Sequence, residues 1–118
     1  GLSGMKEGDI VLTPLPQSDG KEKPRPALLL RKMPPFGDFL VCGISSQLHQ
    51  GVVGFDEWLK MTDAEFSESG LLASSVIRLG FLAILPRSRI IGVIGHVSAG
   101  RHEALLKRLS LYLISAYT

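Results

Sequence analysis

Between Asp9 and Gly95 the apolar residues of this chain come in runs short enough for β-strands, each broken by proline, glycine or a polar cluster. Only after Ser98 does their spacing change to steps of three and four. The two periods belong to different elements, so the chain reads as a series of strands closed by a single helix. Asp9-Ile10-Val11-Leu12-Thr13-Pro14 is a β-branched run that stops at a proline, and polar residues 17–23 separate it from a second strand at 25–31. Pro34-Pro35-Phe36-Gly37-Asp38 makes the next break, and residues 39–44 the third strand. The second and third runs are almost continuously apolar, which predicts burial on both faces, as in a small barrel covered by another layer.

Residues 51–55 read as a short fourth strand. Residues 74–79 and 81–85 form one long or two short strands, bent where Gly80 lacks a side chain, and 90–95 form a further one. The acidic stretch 56–70 is the least patterned; Thr62 with Glu65 three residues on predicts a capping box at a helical turn. In the closing segment Leu105, Leu106, Leu109 and Leu113, with Tyr112 beside them, make an apolar stripe, while Arg101, Glu103, Lys107 and Arg108 fall elsewhere. Ser98 is placed to cap its start. The expected fold class is mainly β with a terminal helix (α+β): a small twisted antiparallel sheet or SH3-like barrel with a C-terminal α-helix laid across it.

With 118 residues and 45% apolar content the chain can build one sizeable core. Residues 1–4 read as a remnant or disordered start ahead of Met5, and residues 5–118 as a single domain. No apolar run nears the roughly 20 residues that span a bilayer. Because a secretion signal is not discernible either, a cytoplasmic location without a membrane partner is expected. The single cysteine, Cys42, excludes an internal disulfide and a thiolate-rich zinc site, and reads as a small core residue. A net charge of +2 does not announce a nucleic-acid binder. Its distribution says more: Lys21, Lys23, Arg25, Arg31 and Lys32 gather in the first third, and Asp56, Glu57, Asp63, Glu65 and Glu68 in the middle. That separation permits one basic face, with each charge by itself simply solvated. P-loop, Rossmann, paired-histidine and nucleophile-elbow signatures are absent. Of three histidines, His49 follows a turn and is open to reading as a general base or a solvated loop residue, whereas His96 and His102 read as structural or surface groups.

Lys23-Pro24-Arg25-Pro26-Ala27-Leu28-Leu29-Leu30 clamps an arginine between two prolines at the mouth of an apolar strand. Proline restricts its own φ and biases the residue before it towards extended geometry, so Arg25 leaves the turn in a narrow range of directions. A charge restrained in that way is either a solvated strand-edge residue or a candidate for chemistry.

In order and spacing, Gly8-Asp9-Ile10-Val11, a polar loop, Arg25-Pro26-Ala27-Leu28-Leu29-Leu30 and an apolar strand ending Ile44-Ser45-Ser46-Gln47 resemble the MazF and PemK (Kid) toxins of bacterial toxin–antitoxin pairs. The later Ser75-Val76-Ile77 strand and the terminal amphipathic helix also fall where that family has them, so the resemblance spans nearly all of residues 5–117. It implies a CcdB/MazF-like fold and a homodimeric, metal-independent endoribonuclease without cofactors. Such a growth-inhibiting toxin cuts single-stranded RNA at short sequences, is silenced by a cognate antitoxin peptide, and contacts DNA together with that antitoxin. The implied reaction is attack of a ribose 2′-hydroxyl on the adjacent phosphate, leaving a 2′,3′-cyclic phosphate and a 5′-hydroxyl. It needs positive charge for the phosphorane, a proton acceptor for the 2′-hydroxyl and a donor for the departing oxygen.

Arg25 matches the family's catalytic arginine, whose planar donor fork suits two phosphate oxygens at once. A pKa above roughly 12 makes it a charge stabiliser before a proton carrier. Ser45 falls where the family commonly has a catalytic threonine and keeps the hydroxyl; a strand-end serine also commonly bonds its own backbone. Ser46 and Gln47 follow as RNA-binding candidates, Gln47 on the face of Ser45 if the strand continues. Lys21 and Lys23 lie in the loop that borders the RNA groove in the family. Where relatives carry an Arg-Thr pair, often with a nearby aspartate, this chain has Ala83-Ile84-Leu85-Pro86. Arg78, the favoured RNA-binding substitute, and Arg87 are near enough to stand in, provided strand alternation sets one of them on the right face. Few aromatics argue against a broad base-stacking platform. Two other readings stay open: a catalytically weak or inactive member acting as a protein-binding module, and a gyrase poison resembling CcdB, whose Trp-Gly-Ile ending is replaced here by Ser115-Ala116-Tyr117-Thr118.

Overall fold

In the computed structural model, residues 4–16 and 19–117 are described. Of the leading segment expected to be a remnant or disordered start, residues 1–3 lie outside these, as do Gln17 and Ser18 of the first polar loop and Thr118. Six strands build one antiparallel sheet: β1 (Asp9–Pro16), β2 (Glu22–Met33), β3 (Asp38–Ser45), β4 (Glu57–Leu59), β5 (Ser75–Leu85) and β6 (Gly92–His96). Their order is β4-β5-β3-β2-β1-β6, with antiparallel pairing throughout. Among the described residues two α-helices complete the fold, a single turn α1 (Phe66–Ser69) and the terminal α2 (Ala99–Ile114). The sheet curls into a half-barrel with the helix against it, as the change of period at Ser98 predicts.

Both faces of the central strands are buried. Ile10, Leu28, Cys42, Ile44, Ile77 and Leu79 point to one face and pack with Leu105 and Leu109 of α2. Val11, Ala27, Leu29, Phe39, Val41 and Leu85 alternate with them and form a second apolar cluster with Met5 and Ile90. The Ser98 side chain accepts a bond from Arg101 N at 3.2 Å and caps α2. The apolar stripe of that helix is buried only in its first half: Leu111, Tyr112, Leu113 and Ile114 are all more than half exposed.

Three register shifts bend the sheet: one sets Ile94 of β6 as an extra residue between the pairs Ile10↔Gly95 and Val11↔Val93, and at each of the other two a side chain takes up the backbone group it strands. Leu30 is the extra residue of β2, between the pairs Leu29↔Val41 and Arg31↔Leu40, and its carbonyl accepts from His102 Nε2 at 2.8 Å. In β5, Cys42↔Leu82 is followed by Gly43↔Arg78, so Leu79, Gly80 and Phe81 are looped out at the bend expected around Gly80. Asp56 Oδ1 accepts from Leu79 N there, at 2.9 Å.

The acidic middle departs from its expected reading. Residues 51–55 are a turn and not a strand: Asp56 Oδ2 accepts from Val52 N at 2.9 Å, and the indole of Trp58 lies over Gly51 and donates to Leu48 O. The capping box at Thr62 does not form. Glu65 itself stands at the N-cap of α1 without a side-chain bond there, because its carboxylate turns to Ser98 N at 3.4 Å and Arg101 Nε at 3.5 Å. Nor are these charges merely solvated. Glu57 pairs with both Arg101, at 2.9 Å, and Arg108, at 3.0 Å, and so fastens α2 to the edge strand β4. Among the described residues, no helix is long and apolar enough to cross a membrane.

Candidate functional site

A cleft of about 770 Å³ opens where β2 and β3 part company. The cause is visible in the backbone. Leu29 O accepts from Gly8 N at 2.8 Å, so odd-numbered residues of this part of β2 present their polar groups to the β1 side and even-numbered ones to β3. Pro26 therefore lacks its N–H on the β3 side. Pairing with β3 accordingly ends at Ala27↔Gly43, whereas pairing with β1 runs on through Thr13↔Arg25 to Pro16↔Glu22. The prolines flanking Arg25 thus do more than aim it, since they also end the ladder that would otherwise close the cleft.

Ala27, Gly43 and Arg78 form one row across β2, β3 and β5. Side chains alternate along a strand, so Arg25 and Ser45, two residues beyond Ala27 and Gly43, lie on the same face as Arg78. All three line the cleft, together with Ser46, Gln47 and Gln50. Leu12, Leu15, Leu71 and Leu72 supply apolar walls. Among the described residues of this lining the two charged ones are both arginines, with no carboxylate beside them.

Ser45 makes the bond expected of a strand-end serine. Its Oγ accepts from Gln47 N at 3.0 Å, a bond that does not use the hydroxyl proton. That bond also shows why Gln47 reaches the cleft although β3 stops at Ser45: the chain turns at Ser46, and Gln47 stands at the N-cap of a 3₁₀ turn, Leu48–Gln50. Lys21 and Lys23 do not line the cleft. Both are exposed at the start of the β2 hairpin arm, and Lys21 N bonds Asp19 Oδ1 at 2.9 Å. The arm is tied down by Glu22, which takes Arg89 Nη2 on both carboxylate oxygens at 2.9 Å.

Of the two arginines expected to stand in for the Arg-Thr pair, only Arg78 reaches the cleft. Arg87 sits on a 3₁₀ turn with its guanidinium 5.7 Å from the Phe39 ring centre. Ala83 packs against the second apolar cluster, and Ile84 is exposed. Phe81 and Gln50 line the cleft without having been singled out beforehand. The signal for Phe81 was the bend at Gly80, which turns its ring back across β3; the sequence offers none for Gln50, whose position depends on the 3₁₀ turn. His49 is exposed outside the lining, and His96 Nε2 lies 3.6 Å from Glu68 of α1, also outside the lining.

No curated protein matches the chain. A family model does, over residues 6–113, which takes in every strand, both helices up to Leu113 and the whole cleft. The chain belongs to the PemK-like, MazF-like toxins of type II toxin–antitoxin systems.

Proposed function

We propose that the protein is the toxin of such a pair and acts as a metal-independent endoribonuclease on single-stranded RNA, with the Arg25 cleft as its active site. The observation that carries this reading is the cleft's charge: both charged residues of its lining are arginines, with hydroxyl and amide donors between them. Such a surface suits a phosphodiester whose charge grows in the transition state. Arg25 holds the phosphorane oxygens through its fork and Ser45 donates its hydroxyl to one of them. Gln47 and Ser46 orient the neighbouring phosphate or base edge, and Lys21 and Lys23 attract the strand from outside the cleft. Among the described residues the lining offers arginines, hydroxyls and amides and no carboxylate, which favours charge stabilisation as the chain's main contribution. The exposed apolar residues Leu111, Leu113 and Ile114 of α2, with Val52 and Val53, support a homodimer, and an acidic antitoxin segment fits the same arginine-lined cleft.

The test uses the purified protein without antitoxin, in EDTA, on a long single-stranded RNA. Fragments with 5′-hydroxyl ends, labelled by polynucleotide kinase without prior dephosphorylation, are expected. Arg25→Ala should lower the rate by about 10²–10³-fold, the range for losing one preorganised oxyanion donor, with an unchanged circular dichroism spectrum. RNA left intact at equimolar protein defeats the nuclease reading, and full activity in Arg25→Ala removes that residue from it. Ala83 and Ile84, at the place of the family's polar pair, favour a second reading, a weak or inactive member that works by binding; RNA retained but never cut would establish it.

A further inference from the structure

The bulge of β5 brings together three residues that the reading above leaves unconnected. Gly43 has no side chain, and the Phe81 ring occupies the space over it: a Cβ built on Gly43 would lie 3.3 Å from Phe81 Cγ. Gly43 pairs directly with Arg78, whose guanidinium carbon stands 5.8 Å from the centre of that same ring. Arg78 and Phe81 are both half-buried and both line the cleft. An arginine held against an aromatic face keeps its in-plane N–H donors directed outward while losing much of its rotamer freedom. The bulge that puts Phe81 there is itself held by Asp56, through Leu79 N.

We propose that Phe81, seated over Gly43, is a positioning residue that fixes Arg78 as the second phosphate-binding cation of the cleft, on β5, with β3 between it and the strand of Arg25. The inference rests on the RNA-cleaving reading and adds what replaces the missing Arg-Thr pair. The replacement comes from earlier in the same strand, where an arginine and an aromatic three residues apart are folded together by a bulge. Phe81 acts through Arg78 and contributes no phosphate contact of its own.

Salt dependence separates this arrangement from a structural role for Phe81 or direct stacking on a base. Binding is measured by fluorescence anisotropy, in EDTA, to randomised 2′-O-methyl oligoribonucleotides, which cannot cyclise. The plot of log affinity against log salt should become shallower by about 0.7 in Arg78→Gln, the loss of one phosphate contact on a single strand. Phe81→Leu should lose the same slope, the double variant no more than either, and Phe81→Tyr should restore it. Should Phe81→Leu fail to fold, Phe81→Met fills the space without an aromatic face and carries the same expectation. A wild-type slope in Arg78→Gln overturns the inference while leaving the nuclease reading intact. Weaker binding at wild-type slope in Phe81→Leu overturns the positioning role. A wild-type chain that binds no RNA at low salt overturns inference and reading together.

Discussion

Cys42 shows how completely a single position can be settled by burial. It is inaccessible to solvent, in the cluster that faces α2, and that burial, with the Asp56 carboxylate nearby as the lesser cause, pushes its thiol up to about 12 from an ordinary 9.0. A thiol so placed is a small apolar group and no nucleophile. Its titration bears on stability, because the unfolded chain releases the proton from about pH 9 while the folded one keeps it. The folded state then binds more protons, so stability is full below pH 9 and falls as pH rises towards 12. Chemical denaturation over that range should give a steeper decline for the wild type than for Cys42→Ala, and a disulfide reagent at pH 8 should react only on unfolding. Equal slopes in the two proteins would remove the thiol as the cause. Cys42 was legible in the sequence because an apolar run defines its surroundings locally. Asp56 was not, because its partners, Val52 N and Leu79 N, are set by a turn and a bulge that no local pattern encodes.

At the scale of elements, the strands that carry continuous apolar runs were readable to within a few residues, and the irregular pieces between them were not. β2 and β3 came from composition alone, whereas the turn at 52–55, the short β4 and the displaced start of α1 depend on where side chains from distant segments end up. Asp56 is the clearest instance, since one buried carboxylate holds the turn with one oxygen and the β5 bulge with the other. Removing it strands two backbone donors, one of them fully enclosed. Asp56→Ala should therefore cost about 3 kcal/mol, the range for losing hydrogen bonds to a charged acceptor with their donors left buried. Asp56→Asn keeps one acceptor oxygen and should lose less. Denaturant unfolding measures both, and equal stability of Asp56→Ala and wild type would show that the bulge stands without its carboxylate. The candidate site divides along the same line: Arg25 and Ser45 lie on long strands with sequence signatures, while Phe81 and Gln50 reach the cleft through a bulge and a 3₁₀ turn.

For the molecule as a whole, the open question in a half-barrel is what links its two edges, since β4 and β6 stand at opposite ends of the sheet and do not pair. The chain between β4 and β5 does so, carrying α1 across to β6 and leaving residues 70–73 as a wall of the cleft. The contact is backbone against backbone. Gly70 ends α1 at φ +72° with an imaginary Cβ 1.9 Å from Ile94 O, and a Cβ on Gly95 would meet Ser69 C at 2.2 Å and Glu68 O at 2.4 Å. Two glycines facing each other let a helical turn lie directly on an edge strand, which also covers that strand's open side. Neither neighbour is a flexible side chain that could step aside, so Gly95→Ala must drive α1 off β6. We expect a loss of about 3 kcal/mol or more, at the upper end for overpacked sites. Faster amide exchange in residues 66–73 should accompany it and, on the proposed nuclease function, a parallel fall in RNA cleavage, as the cleft loses that wall. Gly100→Ala is the matched control: nothing lies within 4 Å of its added methyl, and its place in the first turn of α2 predicts a change between zero and a gain of about 1 kcal/mol. If the two alanine variants unfold at the same denaturant concentration, the closure across β6 contributes nothing to the stability of the half-barrel, and the cleft must owe its shape to the strands alone.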